Sequence, residues 1–290
     1  MLALHNVTYR IPTPVFGAGL IENIAEATIY ANMAANAALK QALGISGHPN
    51  LSANDGTVTR FGWKAQNKSL EIFSGEAYNV EMGVTNELFP NERGGAPSTC
   101  MYGSTPEDTT NFPASTAAIS QDGVTIPSDT VAFSDFMRFL APPVPSAQGI
   151  PGNPSPSSLA NGKAVFQQIH CDLCHTPTMQ TGKSTFSPGL ANQTAALFSD
   201  LLVHHMGTGL ADNITQGSAG GDEFRTAPLW GLGQRIFFLH DGRATPANGG
   251  LLTAIQDHAS QGSEANGVIA AFGQLTPQQQ QDLLNYLRSL

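Results

Sequence analysis

The sequence predicts a mainly α-helical chain with long loops. Charged residues make up only 12% of its 290 residues, while 30 Gly and 19 Pro are spread through it. That composition favours short helices joined by loops over a layered sheet. The clearest apolar repeats also have helical spacing and begin at good caps. The length suits two ordinary domains. We expect an incomplete first domain over 1–145, a linker over 146–157 and a second domain over 158–290.

Each element follows from its residues. Leu20 to Leu43 is alanine-rich, with Ile21, Ile24, Ala31, Ala35 and Ala38 at helical spacing, so it reads as one amphipathic helix ended by Gly44. Residues 44–68 are polar and turn-rich, Ser69 to Phe73 starts a short helix, and 90–126 reads mostly as loop. Ser128 caps a helix through Val131, Phe133, Phe136, Phe139 and Leu140, which Pro142 and Pro143 stop. The stretch APPVPSAQGIPGNPSPSS, 141–158, holds the linker. A helix carrying Gly162, Val165 and Phe166 on one face follows it. The last helix has Thr276 as cap, Pro277 in its first turn and an apolar stripe of Leu283, Leu284, Leu287 and Leu290.

A net charge of −9 and a pI near 5.2 exclude nucleic acid and anionic membrane surfaces as partners, because both repel such a surface. No stretch approaches the roughly 18 apolar residues of a membrane span. A redox partner protein or a small-molecule oxidant remains. Three cysteines make no disulfide framework, and Cys100 reads as incidental.

The chemistry sits in Cys171-Asp172-Leu173-Cys174-His175. This is C-x-x-C-H, whose two thiols add to haem vinyl groups while the adjacent imidazole ligates iron. A zinc site would have to recruit distant histidines as further ligands. A thioredoxin-like pair needs a strand before the motif, whereas the residues before it look helical. The motif thus predicts one haem c with His175 as iron ligand, in a cytochrome c-like domain. The opposite face of the iron is open or filled by Met179, His204, His205, Met206, His240 or His258. An open face suits peroxide chemistry, and a second strong ligand suits electron transfer.

Further segments resemble the di-haem oxidoreductases once called thiol oxidoreductases, relatives of the di-haem cytochrome c peroxidases. They are PVFGAGLIENI at 14–24, RFGWKA at 60–65, EMGVTNELFP at 81–90, DLLVHHMGTGLAD at 200–212, EFRTAPLWGLG at 223–233 and FLHDGRA at 238–244. The resemblance implies a pair of mainly helical cytochrome c domains with one haem each. It favours His258 as the second axial ligand, giving a bis-histidine haem whose lowered potential suits an electron relay. It implies Trp63 as an electron-hopping station between haems and Glu81 as the carboxylate that moves a proton between peroxide oxygens. Arg225 and Arg243 would pair with haem propionates, as guanidinium forks do.

The chain also departs from the family pattern. It has no second C-x-x-C-H, Phe73 stands where relatives usually have Gln, and His205 stands where they usually have Asp. Covalent haem attachment takes place outside the cytoplasmic membrane, so an exported, periplasmic protein is implied. The opening MLALHNVTYRIPTP has no export signal. The expectation is therefore a fragment whose signal and first haem segment lie upstream, with a second haem in the full-length protein. The leading reading is c-type haem electron transfer within a peroxidase-like oxidoreductase. The alternatives are a monohaem carrier without substrate chemistry and a redox-inert, haem-dependent domain.

Overall fold

The structure, a computed structural model, describes residues 7–91, 106–110 and 126–290. Cys100 and most of the loop expected over 90–126 lie outside the described residues. Those described contain ten α-helices and four strands of two or three residues. The helices are α1 (Ala18–Glu22), α2 (Glu26–Ala34), α3 (Ala37–Leu43), α4 (Leu70–Glu81), α5 (Asp129–Phe139), α6 (Pro156–Gln168), α7 (Gly207–Leu210), α8 (Leu251–Gln256), α9 (Asn266–Gly273) and α10 (Pro277–Arg288). Strands β1 (Met179–Gln180) and β2 (Thr194–Ala195) form one antiparallel pair, and β3 (Val203–His205) and β4 (Glu223–Arg225) another.

The single helix expected over Leu20–Leu43 is three helices. Extended backbone at Ala25 and Ala35 and a left-handed Asn36 (φ 58°) interrupt it, and Gly44 (φ 73°) ends it as expected. The buried face also differs. Ile21, Ile24 and Ile29 are buried, whereas Ala31, Ala35 and Ala38 are exposed. Alanine favours helix wherever it sits, so an alanine-rich run reports poorly on which face is covered.

Helix α4 is longer than the start at Ser69 suggests, with Ser69 Oγ accepting from the Ile72 N–H at 3.2 Å. Helix α5 begins where expected, Ser128 Oγ accepting from the Val131 N–H. Its aromatic stripe, however, faces outward. Phe133, Phe136 and Phe139 are 38%, 53% and 60% exposed, while Met137 and Arg138 are buried. The cause is an ion pair with α1, in which Arg138 Nε lies 2.8 Å from Glu22 Oε2. A charge buried only in company of its partner fixes the roll of α5.

The terminal helices behave as read. Gly162, Val165 and Phe166 are the buried residues of α6. Helix α10 has Thr276 and Gln279 in a reciprocal capping box and buries Leu283, Tyr286 and Leu287. The two helices cross at Gly162, where a Cβ would lie 2.0 Å from the Asp282 carbonyl oxygen. Only glycine permits that approach.

Two main apolar clusters result. One joins Ile21, Ile24, Ile29, Phe61, Leu70 and Met137 to Leu197, Leu201, Leu202 and Trp230, so it draws on both sides of the 146–157 stretch. The other packs α6 and α10 with Phe198, Leu232, Leu251 and Phe272. Within 146–157, Ile150 is buried and the Ser146 N–H donates to the Ser289 carbonyl at 2.8 Å.

Candidate functional site

Helix α6 ends at Gln168, and a left-handed His170 (φ 68°) turns the chain into a 3₁₀ turn at Cys171–Leu173. The His175 N–H donates to the Cys171 carbonyl at 2.9 Å. Cys171, Cys174 and His175 therefore share one compact turn on the wall of a cavity of about 550 Å³, within the range of about 300–1,000 Å³ typical of ligand sites. Trp63, His204, Met206, Arg225, Arg235, His240, His258 and Glu264 also line it.

Two imidazoles face this space with the same preparation. His175 Nδ1 lies 3.0 Å from the Phe198 carbonyl oxygen, and His258 Nδ1 lies 2.6 Å from that of Ala254. A carbonyl only accepts, so each Nδ1 carries the proton and each Nε2 keeps its lone pair. Burial, and then the nearby His258, lower His175 to about 4. Burial also lowers His258. Both rings stay neutral, as metal ligation requires.

The other candidates are disposed differently. Met179 is buried in the first apolar cluster and does not line the cavity. Met206 lines it from the start of α7. His240 lines it too, stacked on Phe224 with ring centroids 4.2 Å apart and edge-on to Trp63 at 6.3 Å. Trp63 is fixed by its indole N–H, which donates to the Ile11 carbonyl at 2.7 Å. His205 lies outside the cavity, its Nδ1 3.1 Å from Asp222. His204 has both nitrogens engaged, Nδ1 at 2.7 Å from Glu264 and Nε2 at 2.9 Å from Asp200.

Cys174, Asp200 and His204 offer ligand atoms within 4.8 Å of one another, which is what a zinc reading asks for. The hydrogen bonds argue against it, because the two carboxylates already occupy both imidazole nitrogens. Burial, the largest influence, pushes the Cys171 thiol up to about 12, so it is neither a ready thiolate ligand nor a redox nucleophile.

Arg225 is buried on the cavity wall, its Nε donating to the Gly62 carbonyl at 3.0 Å. Beside it lies Arg235, which the sequence reading missed. Its Nε is buried without a hydrogen-bond partner, and neither guanidinium has an ion-pair partner among the described residues. Burial and then Arg235 hold Arg225 down to about 10, so both stay cationic near neutral pH. Two uncompensated cations call for an anionic ligand. Arg243 does not serve here. It is exposed, pairs with Asp241 at 2.6 Å and donates to the Gly209 carbonyl at 2.6 Å. Glu81 does not line the cavity either, but ends α4 as an exposed residue.

Two adjacent thiols, two imidazoles with free Nε2 atoms, apolar walls and a pair of unbalanced guanidiniums fit a haem with its vinyl groups, iron and propionates. The chain belongs to the family described as "Di-haem oxidoreductase, putative peroxidase", which matches residues 5–290. Membership of this family is consistent with a haem-based redox function. No curated protein matches the chain. Among solved structures it is similar to a hydrazine synthase of Kuenenia stuttgartiensis pressurised with xenon, at 19% identity and a TM-score of 0.33. That match covers 58% of this chain and 57% of the other, so the chain spans little over half of that relative. It is also similar to a MauG-like protein associated with microbial copper homeostasis, at 15% identity and a TM-score of 0.41, covering 98% and 94% of the two chains. No helix among the described residues is long and apolar enough to cross a membrane.

Proposed function

We propose that this chain holds one haem c, joined to Cys171 and Cys174 and ligated by His175 and His258, and passes electrons within a di-haem oxidoreductase. The observation that carries this reading is the matched anchoring of His175 and His258, each with Nδ1–H on a backbone carbonyl and Nε2 free on the same cavity. Bound there, the haem supplies a one-electron couple whose potential two imidazoles lower relative to His/Met ligation.

The protein residues do the rest. The carbonyls of Phe198 and Ala254 fix both tautomers and ring orientations. Arg225 and Arg235 hold the propionate charge. Phe166, Leu251, Leu283 and Leu287 keep water from the cavity wall beside the motif. Trp63, edge-on to His240, which stacks on Phe224, gives an aromatic route from the cavity towards the first part of the chain. The division into 1–145 and a haem-bearing 158–290, joined through 146–157, belongs to the same proposal, as does export to the compartment where covalent attachment occurs.

A second reading, a monohaem carrier without substrate chemistry, is favoured by Glu81, which is exposed and away from the cavity. Peroxide turnover separates the two. The test of the haem reading is an absorption and EPR spectrum of protein matured with covalent haem, beside a His258→Ala variant. Low-spin ferric haem that turns high-spin in the variant supports the ligand pair. An unchanged low-spin spectrum removes His258 and brings Met206 forward.

A further inference from the structure

The cavity wall beside Cys174 holds more carboxylate than its one cation requires. His204 donates from Nε2 to Asp200 Oδ2 at 2.9 Å and from Nδ1 to Glu264 Oε2 at 2.7 Å. A ring that donates from both nitrogens carries a proton on each and is an imidazolium. The acids meet donors on their other sides as well. Glu264 accepts from the Ser46 N–H at 2.9 Å and from the Ser46 hydroxyl at 3.0 Å, and Asp200 accepts from the Leu202 N–H at 3.1 Å.

One imidazolium against two carboxylates leaves a surplus of one negative charge. Among the described residues no lysine or arginine pairs with either acid. All three side chains are buried, and His204 and Glu264 line the cavity. His204 Nδ1 lies 3.8 Å from Cys174 Sγ, and the Asp200 N–H donates to the Cys174 carbonyl at 2.8 Å. A Cβ on Gly47 would lie 2.2 Å from His204 Cε1, so glycine there leaves room for the ring. The surplus charge is thus held against the sulfur that would carry a haem vinyl group.

Charge acts most strongly on an iron centre where water does not screen it. Negative charge favours the ferric state, which is the more positive of the two, and so lowers the potential. In haem the vinyl groups lie across the ring from the propionates, so charge at Cys174 acts on the end that Arg225 and Arg235 do not neutralise. With the haem held as proposed above, we infer that Asp200, His204 and Glu264 set its potential, holding it below the value that two imidazole ligands alone would give. They act through space, touch no reacting atom, and make the relay a stronger reductant.

The test is a potentiometric titration of the haem-loaded full chain and its variants, with absorption and EPR spectra recorded beside it. Glu264→Gln keeps an oxygen that accepts from Ser46 and removes the charge. Its midpoint potential should rise by at least a tenfold change in the one-electron equilibrium, about 59 mV. Asp200→Asn should do the same, and both should keep the low-spin spectrum of intact axial ligation. Glu264→Asp retains the charge and should stay within that shift of the parent. Potentials that stay level or fall in the low-spin amide variants would overturn the inference. An equal rise in Glu264→Asp would also overturn it, by assigning the effect to packing. Ser46→Ala leaves both carboxylates and removes one hydroxyl that offsets them, so it should lower the potential. The absence of a fall there would overturn the inference even where the amide variants take up no haem. A parent chain without covalent low-spin haem would instead mark failure of the haem reading itself.

Discussion

Two walls of the cavity carry buried cations on opposite terms. On one, Arg225 and Arg235 lie side by side with no carboxylate among the described residues, both depressed to about 10. On the other, His204 sits between Asp200 and Glu264. There burial opposes the charged ring, but Cys174 and Asp200 outweigh it and raise His204 well above the ordinary histidine value. The first wall has no anion among the described residues to balance it, whereas the second is self-contained. A cation's partners thus distinguish a group left unbalanced by the fold from one balanced within it, although both line the same space.

The largest effect should come from breaking the self-contained wall. His204→Leu leaves Asp200 and Glu264 buried without their cation, and should cost about 3–5 kcal/mol in chemical unfolding. A loss under about 1 kcal/mol would mean the three groups do not act as an ionic unit. The same network sets the acid limb. Burial alone would raise Glu264, but its bond to His204 brings it down to about 2 from 4.5. The unfolded chain therefore takes up this proton first. The contribution is complete above about pH 4.5 and is lost as pH falls towards 2. In the His204→Leu chain the fall in stability over that window should shrink.

The incomplete wall should respond less, and only through its ligand. If Arg235 holds a propionate as proposed, Arg235→Met in the haem-loaded chain removes a charge-assisted hydrogen bond and should lower stability by about 1.5–3 kcal/mol. Unchanged stability would show that Arg235 does not hold the propionates.

Legibility in the sequence followed the range of the determining contact. The helices α6 and α10 and the caps Ser128 and Thr276 are each written within a few residues, and all appear where read. The roll of α5 was not legible, because it depends on Glu22, 116 residues away. Arg235 was missed because GLGQRIFF has no spacing that marks a ligand, and Glu264 because its partner His204 lies 60 residues off. Lys64, fully buried, is bonded to the carbonyls of Gly220 and Glu223, 156 and 159 residues away, which its neighbours in the sequence do not reveal.

The smallest effect should come from Arg243, a third cation that sharpens the contrast. Resemblance alone gave it the same role as Arg225, yet its side chain is 41% exposed and already paired with Asp241. An exposed pair of this kind contributes about 0–1 kcal/mol and weakens with salt. Arg243→Ala should therefore change unfolding stability by less than about 1 kcal/mol and leave the haem spectrum and midpoint potential unaltered. A shifted potential in that variant would mean that Arg243 turns from Asp241 to the haem once the cavity is filled. The line drawn between the two walls would then have to include a cation recruited from the surface.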